Sequence, residues 1–138
     1  MTRHISLNDD ADSPQEWVLL VDDEASMLRM LEIGLEGMGM EVATAQSAQL
    51  AMDQIAHRAH APLLVLLDVM MPGTDGLTLA RRFSAQLPRT KIAVMSGHLT
   101  EDSWWPDDLR DVAFLTKPFP LQALRTLVDE ARADLLEE

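Results

Sequence analysis

LLVLLDVMMPGTDG, residues 63–76, is the stretch that decides the fold. Five apolar residues, Leu63 to Leu67, run without alternation into Asp68, the pattern of a strand buried on both faces of a parallel sheet. Such a strand delivers a carboxylate to its own C-terminal end. Met71-Pro72-Gly73-Thr74-Asp75-Gly76 is dense in turn formers, and Leu77, Leu79, Ala80 and Phe83 then predict a helix. Open α/β sheets keep their sites in the crevice beyond the strand ends, which makes Asp68 a candidate functional residue.

The same grammar repeats on either side. Upstream, Trp17-Val18-Leu19-Leu20-Val21 reads as a buried strand from Glu16 that ends in the acidic run Asp22-Asp23-Glu24. Met27, Leu28, Met30, Leu31 and Leu35 follow at helical spacing, with the methionines read as gap-filling core and Gly37 and Gly39 as the helix stop. Glu41-Val42-Ala43-Thr44-Ala45 alternates as a short edge strand does, and Ser47 is placed to cap a helix through Leu50, Ala51 and Ile55. His57 and His60 have no ligand-like spacing with carboxylates and read as solvated residues near a helix end.

Downstream, Lys91 to Met95 forms a fourth strand that ends at Ser96-Gly97-His98. Leu99 to Asp111 is the least regular segment, because Trp104-Trp105-Pro106 interrupts it, and a short or distorted helix is expected there. Val112 to Leu115 is a fifth strand ending at Thr116-Lys117-Pro118, and Leu121, Leu124, Leu127, Val128, Ala131 and Leu135 make the stripe of a closing helix. Five strands alternating with helical segments argue for βαβ units and a doubly wound parallel sheet. Residues 1–15 are polar, Asp-rich and aperiodic, the composition of a flexible leader, so residues 16–138 are assigned to one domain.

Composition narrows the function. The 138 residues are 47% hydrophobic, enough for a single core. A formal charge of −12 repels nucleic-acid backbones and anionic membranes, and the 11 basic residues form no run. The absence of cysteine removes disulfides and thiolate metal sites, and no apolar stretch approaches the roughly 20 residues of a membrane helix. The expectation is a cytoplasmic protein.

Parallel strands one, three, four and five would bring Asp22, Asp23, Asp68, Ser96 and Lys117 to one edge. Clustered carboxylates favour a raised pKa or a bound cation, and hard oxygen ligands from Asp23, Asp68 and a backbone carbonyl, completed by water, suit Mg²⁺. Lys117, the Ser96 hydroxyl and that ion are partners suited to a phosphoryl group, and Asp68 is itself a candidate phosphoryl acceptor.

LLVDDE with Asp22 and Asp23, LLDVMMPGTDG with Asp68, VMSGH with Ser96 and FLTKPF with Lys117 together resemble the receiver domain of two-component response regulators, over about Trp17 to Leu136. The resemblance implies a flavodoxin-like five-stranded sheet of order 2-1-3-4-5 with helices on both faces. It implies Mg²⁺-dependent phosphoryl transfer from a sensor histidine kinase, or a histidine phosphotransfer protein, to Asp68, with self-catalysed hydrolysis. It further implies a metal-binding carbonyl on Met70, a contribution of Asp22 through water, and a cis peptide at Lys117-Pro118. Switching would pass through Ser96 and Phe114 to the face made by the fourth helical segment, the fifth strand and the closing helix, where a downstream protein would bind. The molecule would be a monomer or a phosphorylation-dependent dimer, a signalling phosphoacceptor and not a conventional enzyme.

Several residues depart from the family pattern. Phe114 lacks the hydroxyl of the common Tyr, so switching there would be read by packing. Pro106 falls in the fourth helical segment, and Trp104 and Trp105 beside it are candidate partner anchors, since neighbours on a helix cannot both face the core. With no effector domain after Leu136, the expectation is a stand-alone receiver, similar to the chemotaxis regulators. The alternatives are a phosphorelay shuttle or phosphate sink, or a receiver excised from a hybrid kinase. A haloacid dehalogenase-like phosphatase wants a second acid two residues after its nucleophile, where this chain has Met70.

Overall fold

The computed structural model describes residues 15–97 and 106–136. Strands β1 (Gln15–Val21), β2 (Glu41–Ala45), β3 (Pro62–Asp68), β4 (Lys91–Ser96) and β5 (Ala113–Thr116) form one parallel sheet in the order β2-β1-β3-β4-β5. The α-helices among the described residues are α1 (Ala25–Glu36), α2 (Ala48–His57), α3 (Gly76–Gln86) and α4 (Leu121–Leu136). This is the doubly wound flavodoxin-like sheet that the strand pattern predicts, with β1 starting at Gln15, one residue early.

Every residue of β3 is buried, which is why its sequence shows no alternation. In β1 the two faces separate by parity. Trp17, Leu19 and Val21 join Val65, Leu67 and Phe83 in the layer under α2 and α3, whereas Val18 and Leu20 join Leu64, Leu66, Leu31 and Leu124 under α1 and α4. β2 is an edge strand with the half-buried pattern its alternation implies. The Leu50 amide donates to Ser47 Oγ at 3.1 Å, giving α2 the predicted cap. Gly39 adopts φ of 87°, a left-handed conformation that ends α1 at little steric cost.

Two core assignments fail. Met30 is 61% exposed, because Leu28, Leu31 and Leu35 already make the buried stripe and residue 30 lies about 100° round the helix from residue 31. Leu121 is 55% exposed; it opens α4 and lies over Gly34 of α1 instead of under the sheet. Met27 is only half-buried, while Met40 is in the core.

Of the irregular segment before β5, the described part begins at Pro106 and contains a 3-10 turn, Asp107–Leu109, whose Leu109 is buried. Arg81 Nε of α3 donates to Asp108 of that turn at 2.7 Å. Trp104, Trp105, His98 and residues 1–14 lie outside the described residues. His57 is exposed at the end of α2, its Nδ1 2.7 Å from the Asp53 carbonyl oxygen; the His60 carbonyl accepts from Trp17 Nε1. Trp17 is also covered by the Arg58 guanidinium, 4.2 Å from the ring centre. Among the described residues no helix is long and apolar enough to cross a membrane.

Candidate functional site

Strand register builds the site. Val21 pairs with Leu67, so Asp22, one residue on, comes level with Asp68. Asp68 pairs with Met95, which puts Ser96 one step beyond, and Ser96 pairs with Thr116, which puts Lys117 one step further. Two backbone bonds extend the strands past their ends: Val69 N–H donates to the Met95 carbonyl at 3.0 Å and Lys117 N–H to the Ser96 carbonyl at 2.9 Å. The Lys117-Pro118 peptide is cis.

Lys117 Nζ lies 3.1 Å from Asp22 Oδ2 and 3.1 Å from Asp68 Oδ2, donating to both. The remaining oxygens are held by main chain: Asp22 Oδ1 accepts from the Glu24 amide at 3.0 Å and Asp68 Oδ1 from the Met70 amide at 2.9 Å. Asp22 is fully buried and Asp68 nearly so, whereas Asp23 is exposed. One oxygen from each of Asp22, Asp23 and Asp68 falls within a 4.8 Å cluster. Asp23, Asp68 and Met70 also line an open cleft of about 390 Å³ with Lys117.

Charge follows burial. Loss of water raises the Asp22 pKa above the ordinary carboxylate value, against the opposing effects of the Glu24 amide and Lys117. Burial alone would lower the Lys117 pKa, but its hydrogen bonds to Asp22 and Asp68 carry it above that of an ordinary lysine. A single ammonium therefore serves two buried acids, with a third acid nearby. Crowded, hard, anionic oxygens at the lip of an open cleft are a donor set that fits a small divalent cation such as Mg²⁺.

Ser96 is buried at the end of β4, and Phe114 is half-buried in β5, opposite Val94 and against the α2/α3 core. Glu24 and Gly97 also line the cleft, and Glu24 Oε1 is 4.0 Å from Lys117 Nζ. Glu24 was visible as the third acid of the run after β1; its reach toward Lys117 depends on the turn that its own amide makes with Asp22.

Residues 18–129 match the family model described as the response regulator receiver domain. The chain is 30% identical over 122 residues to the DNA-binding transcriptional regulator NtrC of Klebsiella pneumoniae, covering 86% of this chain and 25% of that protein. It is 39% identical over 87 residues to protein-glutamate methylesterase/protein-glutamine glutaminase 2 of Rhodopseudomonas palustris, covering 62% of this chain and 23% of that one. The chain thus spans about a quarter of the length of these curated relatives. Among solved structures, a response regulator receiver domain protein from Clostridium thermocellum superposes with a TM-score of 0.77 at 26% identity, covering 88% of this chain and 99% of that one. A response regulator from Thermotoga maritima gives 0.72 at 28% identity, covering 88% and 98%. Sheet order, strand-end acids and a match across most of the sequence agree, and the chain belongs to the response regulator receiver domain family.

Proposed function

We propose that Asp68 accepts a phosphoryl group from a phosphohistidine on a sensor kinase or histidine phosphotransfer protein, and that the modified domain signals by binding another protein. The observation that carries this reading is Asp68 itself, a carboxylate on the fully buried strand β3, with an ammonium 3.1 Å away and two further acids in the same cluster. An Asp68 oxygen attacks phosphorus as the phosphorus–nitrogen bond breaks, and the histidine ring leaves with that bond's electron pair. The Met70 amide orients the acceptor through Oδ1, and the Lys117 ammonium balances charge on the transferred oxygens.

Asp23, Asp68 and the Met70 carbonyl would hold Mg²⁺, with Asp22 acting through water; when bound, the ion supplies charge neutralisation for phosphoryl transfer and hydrolysis. The buried Ser96 hydroxyl is the proposed contact to the transferred group. Repacking of Phe114 is the proposed link to the face of β5 and α4, a population shift between two packings that exposes a surface to a downstream protein or a second copy. A cytoplasmic location belongs to the same reading.

Incubating the protein with acetyl phosphate and Mg²⁺ and measuring its intact mass tests the proposal. One phosphoryl group is expected on the wild type and none on Asp68→Asn, whose sheet should be intact by circular dichroism. A phosphorylated Asp68→Asn protein would move the acceptor elsewhere.

A further inference from the structure

The geometry points to Gly76 as a positioning residue for the acceptor: the bare Cα at the start of α3 is what allows the loop carrying Asp68, Val69 and Met70 to close against the helix. The inference rests on the reading of Asp68 as a phosphoryl acceptor beside a cation. A Cβ built on Gly76 would lie 2.4 Å from Val69 Cα, 2.6 Å from its carbonyl oxygen and 2.8 Å from its carbonyl carbon. All three atoms are backbone, so no rotamer change relieves the overlap. The contact is reinforced by the Gly76 amide, which donates to that Val69 carbonyl at 3.2 Å, while Val69 N–H is tied to Met95 of β4 at 3.0 Å. Val69 is thereby clamped between α3 and β4, one residue from Asp68 and one from Met70.

The next atoms along the chain are those the proposed chemistry uses. Met70 N–H holds Asp68 Oδ1 at 2.9 Å, and the Met70 carbonyl is the proposed main-chain metal ligand. Bringing Cβ and Val69 Cα from 2.4 Å to an ordinary 3.4 Å contact requires a displacement of about 1 Å, on the scale at which misplaced reacting groups lose orders of magnitude in rate. Gly34 provides the internal control. A Cβ there would meet Leu121 Cδ1 at 2.6 Å, but that atom is the tip of an exposed side chain and can swing aside.

The test compares Gly76→Ala with Gly34→Ala, both checked for folding by near-ultraviolet circular dichroism. Mg²⁺ affinity is read by calorimetry and the rate of phosphorylation by acetyl phosphate from intact mass. Gly76→Ala is expected to lose at least about five-fold in Mg²⁺ affinity and about ten-fold or more in rate while folded, and Gly34→Ala to stay within about two-fold of wild type on both. A folded Gly76→Ala protein with wild-type values overturns the positioning role, as does an equal loss in Gly34→Ala. If Gly76→Ala does not fold, amide exchange in the wild type decides. The Gly76 and Val69 amides should be protected like the interior of α3, and exchange of the Gly76 amide at the unfolded rate overturns the clamp. Failure of the wild type itself to take up Mg²⁺ or phosphate would instead remove the acceptor reading.

Discussion

Replacing Lys117 with Met removes one ammonium from between two buried carboxylates, and its cost can be worked from the distances. Unit charges 3.1 Å apart attract by roughly 5 kcal/mol at an effective dielectric near 20, so the two contacts amount to about 11 kcal/mol gross. Desolvation of the ammonium offsets several kcal/mol of this. Buried Asp22 and Asp68, left behind within 4.8 Å of each other, repel by at least roughly 3.5 kcal/mol at the same dielectric, and exposed Asp23 adds far less. Breaking one side of a buried pair typically costs about 3–5 kcal/mol, and the lower end applies here because the acids can relieve the loss by binding protons. Against a typical stability of about 5–15 kcal/mol this is a large fraction.

Urea unfolding at pH 7 in chelator should show that loss, and it should shrink as the pH falls through the raised Asp22 pKa, because a protonated Asp22 no longer needs the ammonium. Since the variant has lost a competing cation, added Mg²⁺ should stabilise it more than it stabilises the wild type. A loss below about 1 kcal/mol at pH 7 would refute the ammonium bridge, this being no more than an exposed pair contributes. Equal stabilisation of both proteins by Mg²⁺ would refute the competition.

Other outcomes follow from single contacts. Asp22→Asn should stabilise the fold above about pH 4. The sign follows from burial: a carboxyl whose folded pKa is raised favours folding below its unfolded value of 3.8 and loses that contribution as pH rises through the folded pKa. Urea midpoints for both proteins from pH 3 to 7 check this, and a gap that does not widen with pH would count against it. Ser47→Ala should cost about 1 kcal/mol through loss of the bond to the Leu50 amide, read from the same unfolding curves. Phe83→Ala, at a fully buried position, should cost about 3–5 kcal/mol, and a loss under 1 kcal/mol would contradict the packing of α3 on the sheet.

The buried strands were the most legible part of the sequence, because a run such as Leu63 to Leu67 has one comfortable environment. With parallel strands, the meeting of Asp22, Asp68 and Lys117 followed from their positions at strand ends, and Ser96 comes level with them through the backbone of β4. What periodicity could not give was the width of a helix's buried stripe. Met30 and Leu121 have the right spacing to be core, yet Met30 lies about 100° round α1 from buried Leu31 and Leu121 sits at the open end of α4 over Gly34, which leaves both largely in solvent. Contacts between side chains far apart in sequence were equally hidden: Arg81 with Asp108, or the paired bonds of Arg132 to Glu16, both 2.8 Å long. These depend on how helices lie across the sheet, which local sequence does not encode. Glu24 belonged to a visible acidic run, but only the turn at Asp22 aims it at the cleft.

β3 has a strand on each flank and a packed layer above and below. Force applied at residue 68 finds no slack along the axis of that strand, since sliding it would shear both layers at once. Enclosure loosens sideways, through β4 to β5, where Ala113, Phe114 and Leu115 are each only partly buried. The sheet is thus built as an anvil, tightly held at its centre and less enclosed at the β5 margin.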